Sequence, residues 1–243
     1  MMPCAVPLPK RISFWTTKQK CPFLNYIYIK MTILVTIGPT QEPLDAMRLI
    51  SNRSTGELGT QLALTLVRGD HRVIALRGTG ATADSTELQQ AGVHIIPFTN
   101  TEDLRKALEQ ISSIEPQIDA VFHAAAVSDF YFSDAPTGKI PTTDGPLTLT
   151  LKPTPKLLPL LRGWFPTARI IGWKFEASGD RASALAAASN QIEKCRTDAC
   201  VLNGPSYGEG FGFLSNEGSE GTLLHLADYR ALCAHLEEGL SEQ

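Results

Sequence analysis

Short runs of apolar and β-branched residues alternate with amphipathic segments from Met31 to the carboxyl end of the chain. The run at Thr32–Ile37 is typical of a strand buried on both faces of a parallel sheet. Further strands are predicted at residues 72–76, 93–97, 119–124, 169–173 and 199–202. Helices are predicted at residues 60–68, from about 101 to 113, before about 161, and at 181–196 and 229–240. This alternation predicts right-handed βαβ crossovers and an α/β fold, in which helices cover both faces of a mostly parallel sheet.

Local signals mark where several helices begin or end. Residues 99–102 (TNTE) resemble a capping box, with Thr99 as the N-cap and Glu102 three positions later. Gly69 follows the helix at 60–68, and Asp228 precedes the last helix as its expected cap.

Two stretches depart from the alternation. Residues 126–152 contain several prolines and glycines followed by a strand-like run at 147–151. They predict an excursion from the sheet at about 130–152, either a mobile flap or a dimer arm. Residues 211–226 are predicted to form a hairpin that turns between Gly218 and Gly221.

The first 30 residues differ from the rest, since they carry four prolines, five basic residues and no acid. Their hydrophobic residues also show no sustained periodicity. We expect a disordered tail or a start-site artefact, with translation beginning at Met31, although a transit peptide is an alternative. Residues 31–243 are then predicted to form one domain.

Composition excludes several classes of function. The chain is 43% hydrophobic and 19% charged, as in ordinary globular proteins, and no apolar run has the length of a membrane helix. Its net charge of -3 makes nucleic acid a poor candidate partner. The five cysteines and five histidines are scattered, so we predict no metal cage built from side chains. Unpaired cysteines of this kind favour reduced thiols in a cytoplasmic protein.

Candidate chemistry follows the predicted strands, because ligands of open α/β sheets bind at the carboxyl ends of the strands. The loop from Gly38 to Gly59 is long and polar, and Ser54, Thr55 and Gly56 suit a phosphate beside the next helix. An ordinary loop with a serine-rich cap is the alternative. The chain has no GxxxxGK[ST] motif and no GxGxxG motif after the first strand, which weakens the case for a dinucleotide oxidoreductase.

Three further residues have a functional and a structural interpretation. Asp129, after the strand at 119–124, could accept from a ribose or base, help to hold magnesium, or merely cap a helix. Lys139 lies between glycine and isoleucine in the excursion, where most lysines are solvated loop residues. Trp173 could stack on a base, although an aromatic residue at a strand end more often belongs to the core.

Taken together, these segments are more specific than any one of them. TIGPTQEPLDAMRLISNRSTGELG at 36–59, followed by AAAVSDF, GKI, TPKLL, GWKFEA and DACVLN, resembles the phosphopantothenate–cysteine ligase family over roughly residues 31–240. The resemblance implies a Rossmann-like homodimer with a flap over the nucleotide. Family members are often fused to a flavin-dependent decarboxylase; no such domain fits in this length, so we expect no flavin, and a decarboxylase as a separate partner.

The resemblance also implies the reaction. The carboxylate of phosphopantothenate attacks the α-phosphate of CTP or ATP, with magnesium assistance, to give an acyl-nucleotide and pyrophosphate. The amine of cysteine then displaces the nucleotide. CTP is favoured over ATP, and magnesium is expected to arrive with the triphosphate, with Asp129 as a possible additional ligand.

Site residues are carried over by position. Asn52, Arg48 and Lys139 receive catalytic roles: Asn52 serves the acyl intermediate, Arg48 supports its loop, and Lys139 grips the triphosphate. The phosphate or carboxylate of the substrate is expected at Asn52, Arg53, Ser54, Thr55 and Gly56. The nucleotide is expected to contact Gly38, His123, Ala124, Ala125, Asp129, Lys139, Pro155, Lys156, Leu157, Leu158, Trp173 and Lys174.

The chain departs from the family pattern in the helix before DACVLN. Gln191 and Cys195 stand where members carry lysines, and Lys194, Arg196 or Lys174 are the candidate replacements. Two other hypotheses therefore stay open. One is a homologue that binds nucleotide without turnover. The other is a short-chain NAD(P)-dependent reductase, whose YxxxK pair occurs here only at Tyr26–Lys30.

Overall fold

The computed structural model describes residues 30–115, 117–133, 135–142, 145–216 and 222–240. Its strands are β1 (Thr32–Ile37), β2 (Gln41–Pro43), β3 (Leu49–Ser51), β4 (Arg72–Gly78), β5 (His94–Phe98), β6 (Ala120–His123), β7 (Phe130–Phe132), β8 (Leu151–Pro153), β9 (Arg169–Phe175), β10 (Ala199–Asn203), β11 (Phe211–Ser215) and β12 (Thr222–Leu226). Its helices are α1 (Glu57–Arg68), α2 (Thr86–Gln90), α3 (Thr101–Ile114), α4 (Leu158–Trp164), α5 (Arg181–Cys195) and α6 (Tyr229–Glu238).

Eight strands form the main sheet, in the spatial order β5-β4-β1-β6-β9-β10-β11-β12. The first six pair in parallel, and β11 and β12 extend the sheet as the predicted antiparallel hairpin. The predicted turn of that hairpin, Gly218 to Gly221, lies outside the described residues, as does the predicted tail up to residue 29. The α/β prediction with a mostly parallel sheet is confirmed.

Alternating side chains of the strands divide the core between the two faces of the sheet. Ile33, Val35 and Ile37 of β1 pack with α1 and α6 on one face. Leu34 packs with α3 and α4 on the other face, where α5 covers β10. Both faces of the central strands are therefore dry, which explains why their sequences are nearly continuous apolar runs.

Several predicted boundaries were wrong. The long loop after β1 contains the two-stranded hairpin β2–β3, and α1 begins at Glu57 rather than at residue 60. A three-residue strand has too little sequence for a period to show. The helix predicted to end near 161 continues to Trp164.

The capping box of α3 is shifted by one residue from the prediction. Asn100, not Thr99, is the N-cap, and its side chain accepts a hydrogen bond from the N–H of Asp103 at 2.8 Å. Glu102 instead pairs with Arg105 on the surface of the helix. The cap of α6 at Asp228 is confirmed.

The excursion between β6 and α4 begins with β7 and ends with β8, which form an antiparallel pair outside the main sheet. The strand predicted at 147–151 is wrong, because only Leu151 belongs to a strand and residues 147–150 have no regular structure. The strand β8 occurs only where the chain pairs with β7. In the described part of the chain, no helix is long and apolar enough to cross a membrane.

Candidate active site

The candidate site lies at the carboxyl edge of the main sheet, between β1 and β6. The strand order reverses there, with β4 and β5 on one side of β1 and β6, β9 and β10 on the other. Such a switch point is where open α/β sheets bind ligands. Two loops leave it, and their backbones are joined: Ala126 N–H donates to Gly38 O at 3.0 Å, and Thr40 N–H donates to Ala126 O at 3.2 Å.

Two glycines bring the start of α1 against the loop after β1. Gly38 has a φ of 82°, and a Cβ there would lie 2.6 Å from the Cβ of Ala81. Gly56, the N-cap of α1, has a φ of 79°, and its Cβ would lie 2.9 Å from the same atom and 3.4 Å from Gly38 Cα. Only glycine combines this left-handed backbone with so close an approach. The amino end of α1 is thereby held at the switch point.

Residues 53–55 precede that helix end. The hydroxyl of Thr55 accepts a hydrogen bond from the N–H of Glu57 at 3.2 Å, and Ser54 N–H donates to Asn52 O at 2.9 Å. Arg53 is exposed and has no hydrogen bond or ion pair with a described residue. The segment thus presents a cation and hydroxyl groups beside a helix amino end, an arrangement suited to an oxyanion.

Asn52 connects the two loops of the switch point. Its Nδ2 donates to the carbonyl oxygens of Ala126 and Val127, both at 3.1 Å. Its Oδ1 accepts no hydrogen bond from any described residue, and the residue is exposed. The amide therefore fixes the loop after β6 with one end and offers a neutral acceptor with the other.

Arg48 and Lys139 lie at the border between the β2–β3 hairpin and the excursion. The guanidinium of Arg48 pairs with Asp45 and donates to Ile140 O at 2.9 Å. Lys139 is exposed and has no hydrogen bond or ion pair within the described part of the chain. Arg48 thus supports the structure around the loop, and Lys139 keeps its charge available for a ligand.

Asp129 is held by a chain of hydroxyl contacts. Ser128 N–H donates to Thr40 Oγ1 at 2.9 Å, the hydroxyl of Thr154 donates to Ser128 O, and Thr154 N–H donates to Asp129 O at 2.9 Å. The carboxylate of Asp129 pairs with Lys156, and both side chains are about two-thirds exposed. Exposed pairs of this kind contribute roughly 0–1 kcal/mol, so a ligand can displace either partner at small cost.

His123, at the end of β6, is buried and neutral. Its Nδ1 lies 3.0 Å from Thr36 Oγ1, and the same hydroxyl accepts from Ala125 N–H at 3.0 Å. Burial lowers the pKa of His123 to about 4. It therefore carries no charge at neutral pH and helps to shape the turn at Ala124 and Ala125, which are half-buried.

Residues 155–158 divide between surface and core. Pro155 and Lys156 are exposed, whereas Leu157 is 2% exposed and packs between α3 and α4. Leu158 packs on Gly172, where an added Cβ would come within 3.0 Å of it. Leu157 is thus a core residue, whereas Leu158 is only partly buried.

Trp173 and Lys174 point to opposite faces of the sheet, as neighbours on a strand must. Trp173 packs against the α1/α6 cluster, and its Nε1 is buried without a hydrogen-bond partner among the described residues. Leu158 belongs to the other face. The side chains of Trp173 and Leu158 therefore lie on opposite faces of the sheet, and the lining of a nucleotide pocket by Trp173 and residues 155–158 stays a prediction.

The structure also distinguishes the candidate replacements for the two lysines. Gln191 donates to Trp173 O at 3.3 Å and contacts Cys200 Sγ at 3.3 Å, so its side chain packs against β9 and β10. Arg196 follows α5 and lines a cleft with Arg162, Ala168 and Asp198. That cleft is at the amino ends of β9 and β10, so the suggestion that Arg196 replaces a lysine at the site was wrong.

Lys174 is better placed than the residues after α5. It pairs with Glu176 at 3.1 Å, and its charge opposes the rise in the pKa of Cys195 that burial causes. Lys194, beside Cys195 at the end of α5, is exposed. Lys174 is thus a cation near the inner side of α5 at the carboxyl edge of β9.

Sequence inspection missed three residues that build the site. Thr36 is a fully buried hydroxyl in an apolar strand, and Thr40 joins both loops. Asp45 is buried although it lies in a polar loop. Of these three residues, only Asp45 could have been recognised in the sequence, since an acid three residues before an arginine commonly forms a local ion pair.

No group of three or more His, Cys, Asp or Glu side chains in the described ranges is arranged to hold a metal ion. Two clefts occur at the other end of the molecule, one at Arg196 and one lined by residues including Arg169, Phe213 and His235. Apart from Arg196, neither cleft is lined by a residue predicted for the site.

The chain is similar to a known protein family and to several known proteins. A family model described as the DNA/pantothenate metabolism flavoprotein C-terminal domain matches residues 29–228. The coenzyme A biosynthesis bifunctional protein CoaBC of Mycobacterium tuberculosis is 32% identical over 214 residues, which cover 82% of this chain and 49% of that protein. Human phosphopantothenate–cysteine ligase is 29% identical over 249 residues, covering 80% of this chain and 79% of the human protein.

The chain spans about half or less of the bifunctional relatives it matches, 40% in the protein of Thermococcus kodakarensis and 49% in that of Mycobacterium tuberculosis. Among solved structures, the DNA/pantothenate metabolism flavoprotein from Streptococcus pneumoniae superposes with a TM-score of 0.71 at 24% identity. That superposition covers 86% of this chain and 98% of the other, and it confirms the fold.

Proposed function

Since the chain belongs to the family of the DNA/pantothenate metabolism flavoprotein C-terminal domain, we propose that it is a phosphopantothenate–cysteine ligase of coenzyme A biosynthesis. Relatives that share this region are named as that ligase or as bifunctional coenzyme A biosynthesis proteins. The observation that carries the proposal is Asn52, which joins the two loops at the switch point and leaves one amide oxygen for a ligand.

The reaction we propose has two steps. The carboxylate of 4'-phosphopantothenate attacks the α-phosphate of a nucleoside triphosphate, forming an acyl-nucleotide and releasing pyrophosphate. The amine of L-cysteine then attacks the acyl carbon, the nucleoside monophosphate leaves, and an amide forms. A carboxylate is a poor electrophile, so activation supplies the leaving group, and the protein's tasks are positioning and charge stabilisation.

The acid substrate is assigned to the loop before α1. Arg53, Ser54, Thr55 and Gly56 stand at the amino end of that helix, where the dipole and free amides favour a phosphate or carboxylate. Asn52 Oδ1 is placed to orient the acyl intermediate without adding a charge that would trap the ground state.

The nucleotide is assigned to the other side of the switch point. Gly38, Ala124 and Ala125 offer backbone without bulky side chains. Asp129 and Lys156 are exposed at its rim. His123 supports this wall as a neutral residue, and residues 155–158 contribute the exposed Pro155 together with backbone.

Lys139 and Lys174 are the proposed cations for the triphosphate. Lys139 is the one whose charge meets no described partner, and Lys174 would take the place of the absent lysines of α5. We propose CTP rather than ATP, with Mg²⁺ bound by the triphosphate and no flavin. Any stacking of Trp173 would have to occur from the α1/α6 face.

We further propose that the chain acts in the cytoplasm as a homodimer joined through the excursion. Large apolar side chains are exposed there and on the adjoining hairpin: Met47, Leu49, Phe130, Leu147 and Leu151 are 40–73% exposed. Covering such a patch with a second copy would remove it from water. A Phe130→Lys variant should shift the mass measured by light scattering from dimer to monomer; a monomeric parent protein would contradict the proposal.

A phosphopantothenoylcysteine decarboxylase is the proposed partner that consumes the product. The bifunctional relatives named CoaBC suggest such an activity in another domain or another protein. The proposed product is an amide that carries the carboxylate of cysteine. A decarboxylase would remove that carboxylate.

One assay tests the ligase. Pyrophosphate release is measured with CTP or ATP, with and without phosphopantothenate and cysteine. The ligase predicts release that requires phosphopantothenate, and amide product only when cysteine is added. Nucleotide binding without release would instead identify a homologue that has lost turnover, the hypothesis favoured by Gln191 and Cys195 at the expected lysine positions.

A further inference from the structure

Asp45 is a buried carboxylate in the turn between β2 and β3. Its side chain is 0% exposed. Its Oδ1 accepts hydrogen bonds from the N–H groups of Met47 and Arg48, both at 2.8 Å. These two contacts are local and shape the turn, as an aspartate often does at such a position.

The second oxygen of Asp45 faces a distant part of the chain. Oδ2 accepts from Arg48 Nε at 3.0 Å and from the backbone N–H of Ile140 at 3.0 Å, across 95 residues. Arg48 Nη2 in turn donates to Ile140 O at 2.9 Å. Both backbone groups of Ile140 are therefore held by one ion pair.

This contact is next to Lys139. On the other side of the lysine, Gly138 O accepts a longer hydrogen bond from Ala46 N–H, at 3.5 Å. The side chain of Lys139 has no partner of its own among the described residues, so its position depends on the backbone on either side. That backbone is fixed to the β2–β3 hairpin, which also carries the start of the Asn52 loop.

The charge of Asp45 is satisfied inside the protein. The guanidinium of Arg48 holds the pKa of the Asp45 carboxyl well below its usual range, with the N–H of Ile140 acting in the same direction. A buried carboxylate with these donors stays ionised at neutral pH and has no free lone pair for a substrate. Its interactions point to the excursion rather than to a ligand.

We propose that Asp45 is a positioning residue, which anchors the backbone at Ile140 and thereby directs Lys139 towards the phosphates of the nucleotide. The inference rests on the proposed function for the identity of the ligand. The anchor itself rests on contacts that can be measured without substrate.

The Asp45→Asn variant distinguishes the roles of the two carboxylate oxygens. An asparagine oxygen can still accept from Met47 and Arg48 and keep the turn. An NH2 group in place of Oδ2 would face the Nε and Nη2 donors of Arg48 and the N–H of Ile140, and it could accept from none of them. We expect hydrogen exchange at the Ile140 amide to become about tenfold faster or more, because a hydrogen bond to a charged acceptor is lost.

The kinetic effect should appear in the nucleotide KM. If the anchored arrangement is the one that binds nucleotide, lowering its population tenfold raises the apparent KM by about tenfold, while saturating nucleotide largely restores kcat. Combining Asp45→Asn with Lys139→Gln should add little to Lys139→Gln alone, since both changes remove the same contact. A purely structural residue would give additive losses.

Asp84→Asn is the matched control. Asp84 accepts from the N–H two residues ahead, Thr86, at 2.9 Å, and has no hydrogen bond or ion pair with a described residue of the range 135–142. It should change neither Ile140 exchange nor the nucleotide KM. If Asp45→Asn fails to fold, Arg48→Lys, which loses the bond to Ile140 O, should accelerate exchange at the same amide.

Unchanged exchange at Ile140 in a folded Asp45→Asn protein would overturn the inference, and so would fully additive losses with Lys139→Gln. A parent protein that releases no pyrophosphate would refute the proposed ligase instead. In that case, the exchange of Ile140 would still decide whether Asp45 anchors the segment.

Discussion

Asn52→Ala should separate the two half-reactions of the proposed ligase. The substitution removes two neutral hydrogen bonds of 3.1 Å to Ala126 and Val127, and the amide oxygen assigned to the acyl intermediate. Each neutral hydrogen bond contributes about 0.5–1.5 kcal/mol, and water can replace these in part because Asn52 is exposed. We expect the free energy of unfolding to fall by at most about 1 kcal/mol.

The larger effect should be on transfer to cysteine. Losing about 1.4–2.7 kcal/mol of transition-state stabilisation lowers that step roughly 10- to 100-fold, whereas acyl-nucleotide formation should fall only a few-fold. Rapid-quench measurement of pyrophosphate without cysteine, and of amide product with it, gives the two rates. Acyl-nucleotide should accumulate in the variant.

Asn52→Asp is the sharper companion variant. It preserves the shape of the side chain but replaces the NH2 group by a carboxylate oxygen. That oxygen would face the carbonyl oxygens of Ala126 and Val127, so both contacts become repulsive. Its transfer rate should fall below that of Asn52→Ala. Equal loss of both half-reactions in Asn52→Ala, or a normal transfer rate, would refute the assigned role.

Three other changes test the site and its support. Lys139→Gln should reduce nucleotide turnover by about 100-fold while the melting temperature stays within a degree or two; near-normal kinetics would mean that this lysine is only a surface residue. Gly38→Ala should cost about 1–3 kcal/mol in a urea titration, because of its positive φ and the 2.6 Å contact with Ala81, whereas Gly163→Ala, in open space within α4, should be neutral or slightly stabilising. The depressed pKa of His123, about 4 against 6.5, means that the unfolded chain binds a proton first as pH falls, so stability should drop by about 3 kcal/mol between pH 6.5 and 4. His123→Asn should flatten that part of the urea-unfolding profile, and an unchanged slope would point to other groups.

The sequence was sufficient for elements that carry their own signal. The strands at 32–37 and 199–202 were predicted correctly or within one residue, because a strand dry on both faces is apolar along its length. The cap at Asp228 could be predicted from residue type alone. The elements β2, β3 and β7 were missed, since three residues show no period and each exists through its antiparallel partner.

Prediction of the site was uneven for a related reason. The sequence predicted that the candidate groups lie at the carboxyl ends of strands, but the switch point between β1 and β6 is known only from the strand order in the structure. The orientation of Trp173 relative to Leu158 did not follow, because it depends on which face of the sheet each helix covers. Arg196 was misplaced for the same reason, since counting along α5 does not show which edge of the sheet its end reaches.

The sequence by itself determined the alternation of strands and helices, the glycines at the switch point and the resemblance that names a reaction. These properties are local, because burial pattern, backbone conformation and motif order are written within short stretches of chain. Only the tertiary structure decided that Asp45 reaches Ile140 across 95 residues, and that Asn52 joins the loop after β6. Such contacts depend on how distant segments pack together, and no short stretch of residues contains that information.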